Sequence, residues 1–153
     1  MRTKYWEDFK LGEKYLSPAL TVTETHIVNF ASLTGDFYPL HMDEEYAKQT
    51  QFGGRIAHGP LIFSLAVGLI AQAGIFKDSL VAFLGADRMR FLMPVKAGDT
   101  IHVEVEVTAR RESANPARGI VTILYSVKNQ RSEVVATFDM NFLMHRITCQ
   151  ECV

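Results

Sequence analysis

Residues 56–76 carry no formal charge when His58 is counted as neutral. A run of that length raises the question of a membrane span. Its dense apolar part, residues 61–71, would extend about 16 Å at the helical rise, roughly half of a bilayer's hydrocarbon core. Gly59 and Pro60 interrupt one end, Gly74 lies near the other, and Gln72 lies inside. The segment is apolar on every side, which predicts a helix buried in protein rather than in lipid. Proline is tolerated in a first helical turn, so the helix is predicted to begin at Pro60, after the Gly53-Gly54 break. A helix that is apolar all round must be wrapped, and the rest of the chain has to supply the wrapping.

The C-terminal half reads as antiparallel strands. Ile101, Val103, Val105, Val107 and Ala109 alternate with His102, Glu104, Glu106, Thr108 and Arg110, a period of two. Residues 119–128 repeat the pattern with Val121, Ile123, Tyr125 and Val127. A third run places Val134, Ala136, Phe138, Met140 and Phe142 on one face. Turns are predicted at 113–116 and 129–132. Residues 80–93 form a fourth strand, closed by Pro94 and the Ala97-Gly98-Asp99 turn. Residues 14–23 form a fifth, which Pro18 confines to an edge or a bulge. Between the first strand and the long helix, Thr23 is a candidate N-cap for a helix over 24–33, and Asp43 for a short one after it. The prediction is one α+β domain over 1–153, with 147–153 a loose tail: about five antiparallel strands around one central helix.

Composition excludes several function classes. The chain has 153 residues, enough for a sizeable core, and its formal net charge of −1 gives no general attraction to nucleic acid or acidic membranes. No basic run exceeds Arg110-Arg111, so neither a nucleic-acid partner nor a membrane is expected. The polar N-terminus lacks the apolar core of a signal peptide, and the only two cysteines, Cys149 and Cys152, provide no disulfide framework. A cytoplasmic location is expected. His145 with the two cysteines makes only a weak zinc set on a tail, and no metal is expected.

The chemistry concentrates in Gly35-Asp36-Phe37-Tyr38-Pro39-Leu40-His41. It holds a carboxylate and an imidazole on one short segment, too broken by Gly and Pro to be a helix. Such a pair can share a water molecule and move its proton. The plainer reading makes Asp36 a turn-stabilising Asx residue and His41 a packing histidine. Ala57-His58-Gly59-Pro60 then opens the long helix, where free backbone N–H groups favour developing negative charge.

Taken in order, residues 30–47 resemble the hydratase motif of the hotdog fold's MaoC-like dehydratase and (R)-specific enoyl-CoA hydratase branch. That motif is an aromatic, a small residue, Gly-Asp-x-Asn-Pro-x-His, and an acidic helix. Phe30, Gly35, Asp36, Pro39 and His41 match it, whereas Tyr38 stands at the usual Asn. Ile56-Ala57-His58-Gly59 resembles the entry to the family's central helix, and residues 91–101 its strand-turn-strand. The resemblance spans about residues 8–145. It implies a hotdog fold whose helical overhang carries the motif, and reversible hydration of a trans-2-enoyl thioester to a 3-hydroxyacyl thioester. Asp36 and His41 would activate water, and the Gly59 N–H would polarise the thioester carbonyl. Tyr38, Pro39, His58, Ser64 and Arg90 are candidate substrate contacts, with Arg88, Arg90 and Lys96 near enough in sequence to meet coenzyme A phosphates. For His58 the plainer alternative is a structural role. For Ser64 it is a bond back to the helix carbonyl four residues earlier. The resemblance also implies a homodimer or larger homo-oligomer and no cofactor beyond the substrate's coenzyme A. Rival readings are a dehydratase subunit acting on acyl carrier protein, a hotdog thioesterase, and a non-catalytic acyl-thioester-binding protein.

Overall fold

The computed structural model describes residues 4–147. The cysteine tail, Cys149 and Cys152, lies outside them. The chain enters through a 3-10 turn at Trp6–Asp8 and two short strands, β1 (Lys14–Leu16) and β2 (Leu20–Thr21). Helices α1 (Glu24–Thr34), α2 (Pro39–Met42) and α3 (Glu44–Lys48) follow, then the long helix α4 (Gly59–Gln72). Four long strands complete the chain: β3 (Leu80–Phe91), β4 (Thr100–Glu112), β5 (Arg118–Lys128) and β6 (Val134–His145). They pair antiparallel in the order β1-β4-β5-β6-β3, with β2 also on β4. This is the hotdog arrangement, a sheet curled about one helix.

The sheet has six strands rather than about five, and Pro18 is the reason. It breaks the predicted 14–23 strand into two pieces, both still paired with β4. Ser17 bridges the break: its N–H donates to Val103 O at 2.9 Å, and its Oγ accepts from the Val103 N–H at 2.8 Å. The period-two reading of the other strands places the core correctly. Val103, Val105, Tyr125, Val127, Phe138 and Met140 are all buried on the face toward α4.

The helix itself is less enclosed than its composition suggests. Leu61, Ile62, Ala66, Leu69 and Ile70 are buried, but Pro60, Ser64 and Gly68 form an exposed line at four-residue spacing. One sheet covers one side of a helix, so residues at 60, 64 and 68 are left outside the wrap. β3 is also open, since it lies at the sheet edge and has a partner on one side only. Phe83 and Leu84 there are each 49 % exposed. Among the described residues, no helix is long and apolar enough to cross a membrane.

The N-terminal turn is locked by the chain's single tryptophan. Its Nε1–H donates to Ile120 O at 3.1 Å, and the guanidinium groups of Arg110 and Arg146 each lie 4.5 Å from its ring. Gly119 makes room for it, because a Cβ there would stand 2.4 Å from the indole.

Candidate active site

The local chemistry of residues 34–41 builds the site. Thr23 caps α1, its Oγ1 accepting from the His26 N–H, and Gly35 ends the helix with φ of 79°, a left-handed conformation that favours glycine. Thr34 Oγ1 donates to Phe30 O at 2.7 Å and accepts the Asp36 N–H at 3.2 Å, which turns the chain out of the helix. Asp36 Oδ1 then accepts the Tyr38 N–H at 3.3 Å. The turn-stabilising role is therefore present, and it uses one carboxylate oxygen. The other has no protein donor among the described residues. Pro39 opens the single-turn helix α2, which carries His41.

A second segment holds this loop from behind. Arg55 donates from Nη1 and Nη2 to the two oxygens of Glu24, at 2.6 and 3.1 Å, and from Nε to Glu44 Oε2 at 3.2 Å. The Arg55 backbone N–H and then its side chain hold the Glu44 carboxyl below the usual carboxylate range. This clamp ties α1 and α3 to the chain entering α4. The next residue, Ile56, offers its carbonyl to His41 Nδ1 at 2.8 Å. A carbonyl only accepts, so Nδ1 carries the proton and Nε2 of the neutral ring is a bare lone pair. His58 is fully buried, and its Nε2 lies 3.0 Å from the backbone carbonyl of Asp36. The same reasoning protonates that nitrogen. The rings of His41 and His58 stack at 3.9 Å with 30° between their planes. Phe30 packs against the other imidazole neighbour, 5.0 Å from the His58 ring.

One side-chain ligand atom from each of Asp36, His41 and His58 lies within 4.8 Å of the other two. Two hydrogen bonds of about 2.8 Å meeting at a near-tetrahedral water span about 4.6 Å, so this spacing fits a shared water.

Gly59 begins α4, and its N–H has no acceptor among the described residues. The ring of Phe91 lies where a side chain would go, since a Cβ on Gly59 would meet it at 3.0 Å. Beside them a cavity of about 270 Å³ is lined by Gly59, Ile62, Phe91, Leu92, Met93 and Val135. An apolar cavity that reaches an unsatisfied N–H can take an acyl chain with a carbonyl at its head; Asp36 and His41 do not line it, but Ile56, which holds His41, does.

Not every residue singled out in the sequence joins the site. Tyr38 is exposed beside it, its ring 6.3 Å from that of His41. Pro39 serves as the first residue of α2. His58 has no surface with which to meet a substrate and lies behind His41 instead. Ser64 donates to Pro60 O at 2.8 Å, so its hydroxyl is taken by the back-bond. Arg90 donates to Met89 O, Lys96 to Phe52 O, and Arg88 reaches over the sheet to Asp139. These three cations do not gather into a phosphate cluster. Sequence reasoning missed Tyr46, whose hydroxyl lies 3.4 Å from that of Tyr38. This hydrogen bond raises the Tyr46 phenol above its ordinary range. The only sequence signal was its place eight residues on, in the acidic helix.

Comparison with known proteins follows the same lines. The model of the MaoC like domain matches residues 8–129. The chain is 41 % identical over 115 residues to "Protein MaoC" of Klebsiella aerogenes; the match takes in 75 % of this chain and 33 % of that longer protein. It thus spans about a third of that relative. An (R)-specific enoyl-CoA hydratase of Aeromonas caviae is 40 % identical over 100 residues, covering 65 % of this chain and 72 % of the relative. A solved structure described as a monoamine oxidase regulatory protein from Archaeoglobus superposes with a TM-score of 0.91 at 42 % identity, over 95 % of this chain and 97 % of that one. With the motif, the fold and these relatives in agreement, the chain belongs to the MaoC-like dehydratase family.

Proposed function

We propose that this protein is a hydro-lyase that reversibly hydrates trans-2-enoyl-CoA to (3R)-hydroxyacyl-CoA. The observation that carries the reading is the fixed His41 ring. Its Nδ1–H is committed to Ile56 O, which leaves Nε2 as the ring's proton acceptor, and a ring nitrogen of His41 lies within 4.8 Å of an Asp36 carboxylate oxygen. As the water oxygen bonds to C3, one of its protons passes to the dyad and the electron pair of the double bond moves toward the thioester oxygen. The Gly59 N–H meets that developing charge. The dyad then returns a proton to C2, so the net addition is one H and one OH. Asp36 and His41 act as one coupled unit in this scheme. No electron leaves the substrate, so the reaction needs no cofactor beyond the coenzyme A that the substrate carries. A cytoplasmic location belongs to the same proposal.

The relatives' names support a hydratase over the rivals, since one is an (R)-specific enoyl-CoA hydratase. A carrier-protein partner would want free cations on the 110–118 loop; Arg110 is turned inward onto the carbonyls of Glu7 and Phe9, which leaves Arg111 and Arg118 for that role. We also infer a homodimer. The open edge of β3 and the exposed apolar side chains of Phe83, Leu84, Phe91 and Leu92 leave a surface that a second copy would cover.

Incubation with crotonyl-CoA is expected to remove the conjugated absorbance without releasing thiol, monitored with a thiol-trapping reagent in the same cuvette. Rapid thiol release with no hydroxyacyl product would overturn the hydratase reading in favour of a thioesterase. Asp36→Asn and His41→Ala should each lower kcat by about 10²-fold or more while the protein stays folded, and the double variant should lose little more than either single one. A folded single variant with near-full hydration activity would remove that residue from the assignment. Light scattering at assay concentration should show a dimer; a fully active monomer contradicts the inferred assembly.

A further inference from the structure

The scheme above uses Asp36, His41 and Gly59 and leaves His58 without a task. Yet His58 touches both halves of the dyad. Its Nε2–H donates to the backbone carbonyl of Asp36 at 3.0 Å, and its ring lies on that of His41 at 3.9 Å. It is 0 % exposed, and its Nδ1 is buried with no hydrogen-bond partner. That last feature argues against a purely packing role. An unpaired polar atom in the interior lowers stability, and an apolar ring of similar size at the same place would avoid the penalty. What an imidazole supplies there, and a phenyl ring does not, is the donor to Asp36 O.

We propose that His58 is a positioning residue: it fixes Asp36 relative to His41 by tethering the Asp36 carbonyl while its ring backs the His41 imidazole. This rests on the hydratase reading for its kinetic consequence, but not for the tether itself. The peptide between Asp36 and Phe37 follows the exposed Gly35, and among the described residues Tyr38 N–H is the only donor to the Asp36 side chain. Without the tether, the carboxylate is held only by its own turn. His41 keeps its separate anchor on Ile56 O. Loss of His58 therefore acts on the spacing within the dyad rather than on His41 alone. A displacement of about 1 Å at a reacting group can lower turnover by about 10²-fold.

Two variants separate the parts of this role. His58→Phe keeps a ring against His41 and removes the donor. His58→Gln removes the ring and places an amide N–H near the position of Nε2. With crotonyl-CoA, His58→Phe is expected to lower kcat by about 10²-fold with KM within about twofold, and His58→Gln to recover about tenfold of that loss. Thermal melting of each variant checks the fold. Nitrogen-15 NMR without substrate reads the tether directly. The native His58 should be the Nε2–H tautomer. The Phe37 amide nitrogen, which shares its peptide group with Asp36 O, should move in His58→Phe and stay near its native shift in His58→Gln. If native protein fails to hydrate crotonyl-CoA while these NMR signatures hold, the hydratase reading falls and the tether stands. If native protein hydrates and folded His58→Phe keeps its full kcat, or His58 proves to be the Nδ1–H tautomer, the positioning role is overturned.

Discussion

Two crossed hydrogen bonds hold the candidate site together. His41, on the loop after α1, donates to the carbonyl of Ile56 on the approach to α4; His58, on that approach, donates back to the carbonyl of Asp36 on the loop. Each segment thus supplies one imidazole and one carbonyl, and the rings stack between them. Neither segment has regular structure of its own beyond the single turn of α2, and the Ile56 N–H adds a third link by donating to Leu40 O at 3.3 Å. The Arg55 clamp on Glu24 and Glu44 works one residue outside this cross. Those ion pairs are partly exposed, and exposed pairs contribute up to about 1 kcal/mol each. They reinforce the cross and do not replace it.

The cross has a chemical consequence beyond rigidity. A backbone carbonyl can only accept, so each bond selects a tautomer, and for His41 the selected one leaves Nε2 bare. On the proposed hydratase reading, proton transfer is then set up before any substrate arrives, which avoids reorganisation during the reaction. The same helix start that receives His41 also presents the unsatisfied Gly59 N–H. On that reading, acid–base groups and anion site are positioned by one junction. The apolar cavity at Gly59 and Phe91 is walled in part by this junction, through Ile56, Ala57 and Gly59.

What was legible in the sequence is what depends on near neighbours. The loop of Asp36 and His41 could be read because Gly35 and Pro39 act within a few residues of them; Gly35 ends α1 as a turn, whereas Pro39 opens the single-turn helix α2 in a segment that had read as too broken for any helix. Strands β4, β5 and β6 could be read because a sheet with one covered face imposes a period of two. Pro18 announced an irregularity, although not that it would divide the strand. The partnership of His58 with Asp36 was out of reach, because it joins residues 22 positions apart through the docking of α4. Composition also misjudged that helix: Pro60, Ser64 and Gly68 are small enough to look buried, and only the three-dimensional wrap shows them open. Arg88 could not be separated from a phosphate ligand until its reach to Asp139 was seen.

The central claim is that one dyad on one side of the acyl group handles both the hydroxyl and the proton. Hydration of crotonyl-CoA in deuterium oxide tests it most directly, with the relative configuration at C2 and C3 of the product read from proton coupling. Syn addition, with deuterium and hydroxyl delivered to the same face, is the result the account predicts. Anti addition would contradict it, because the proton would then have to come from a group on the face away from Asp36 and His41.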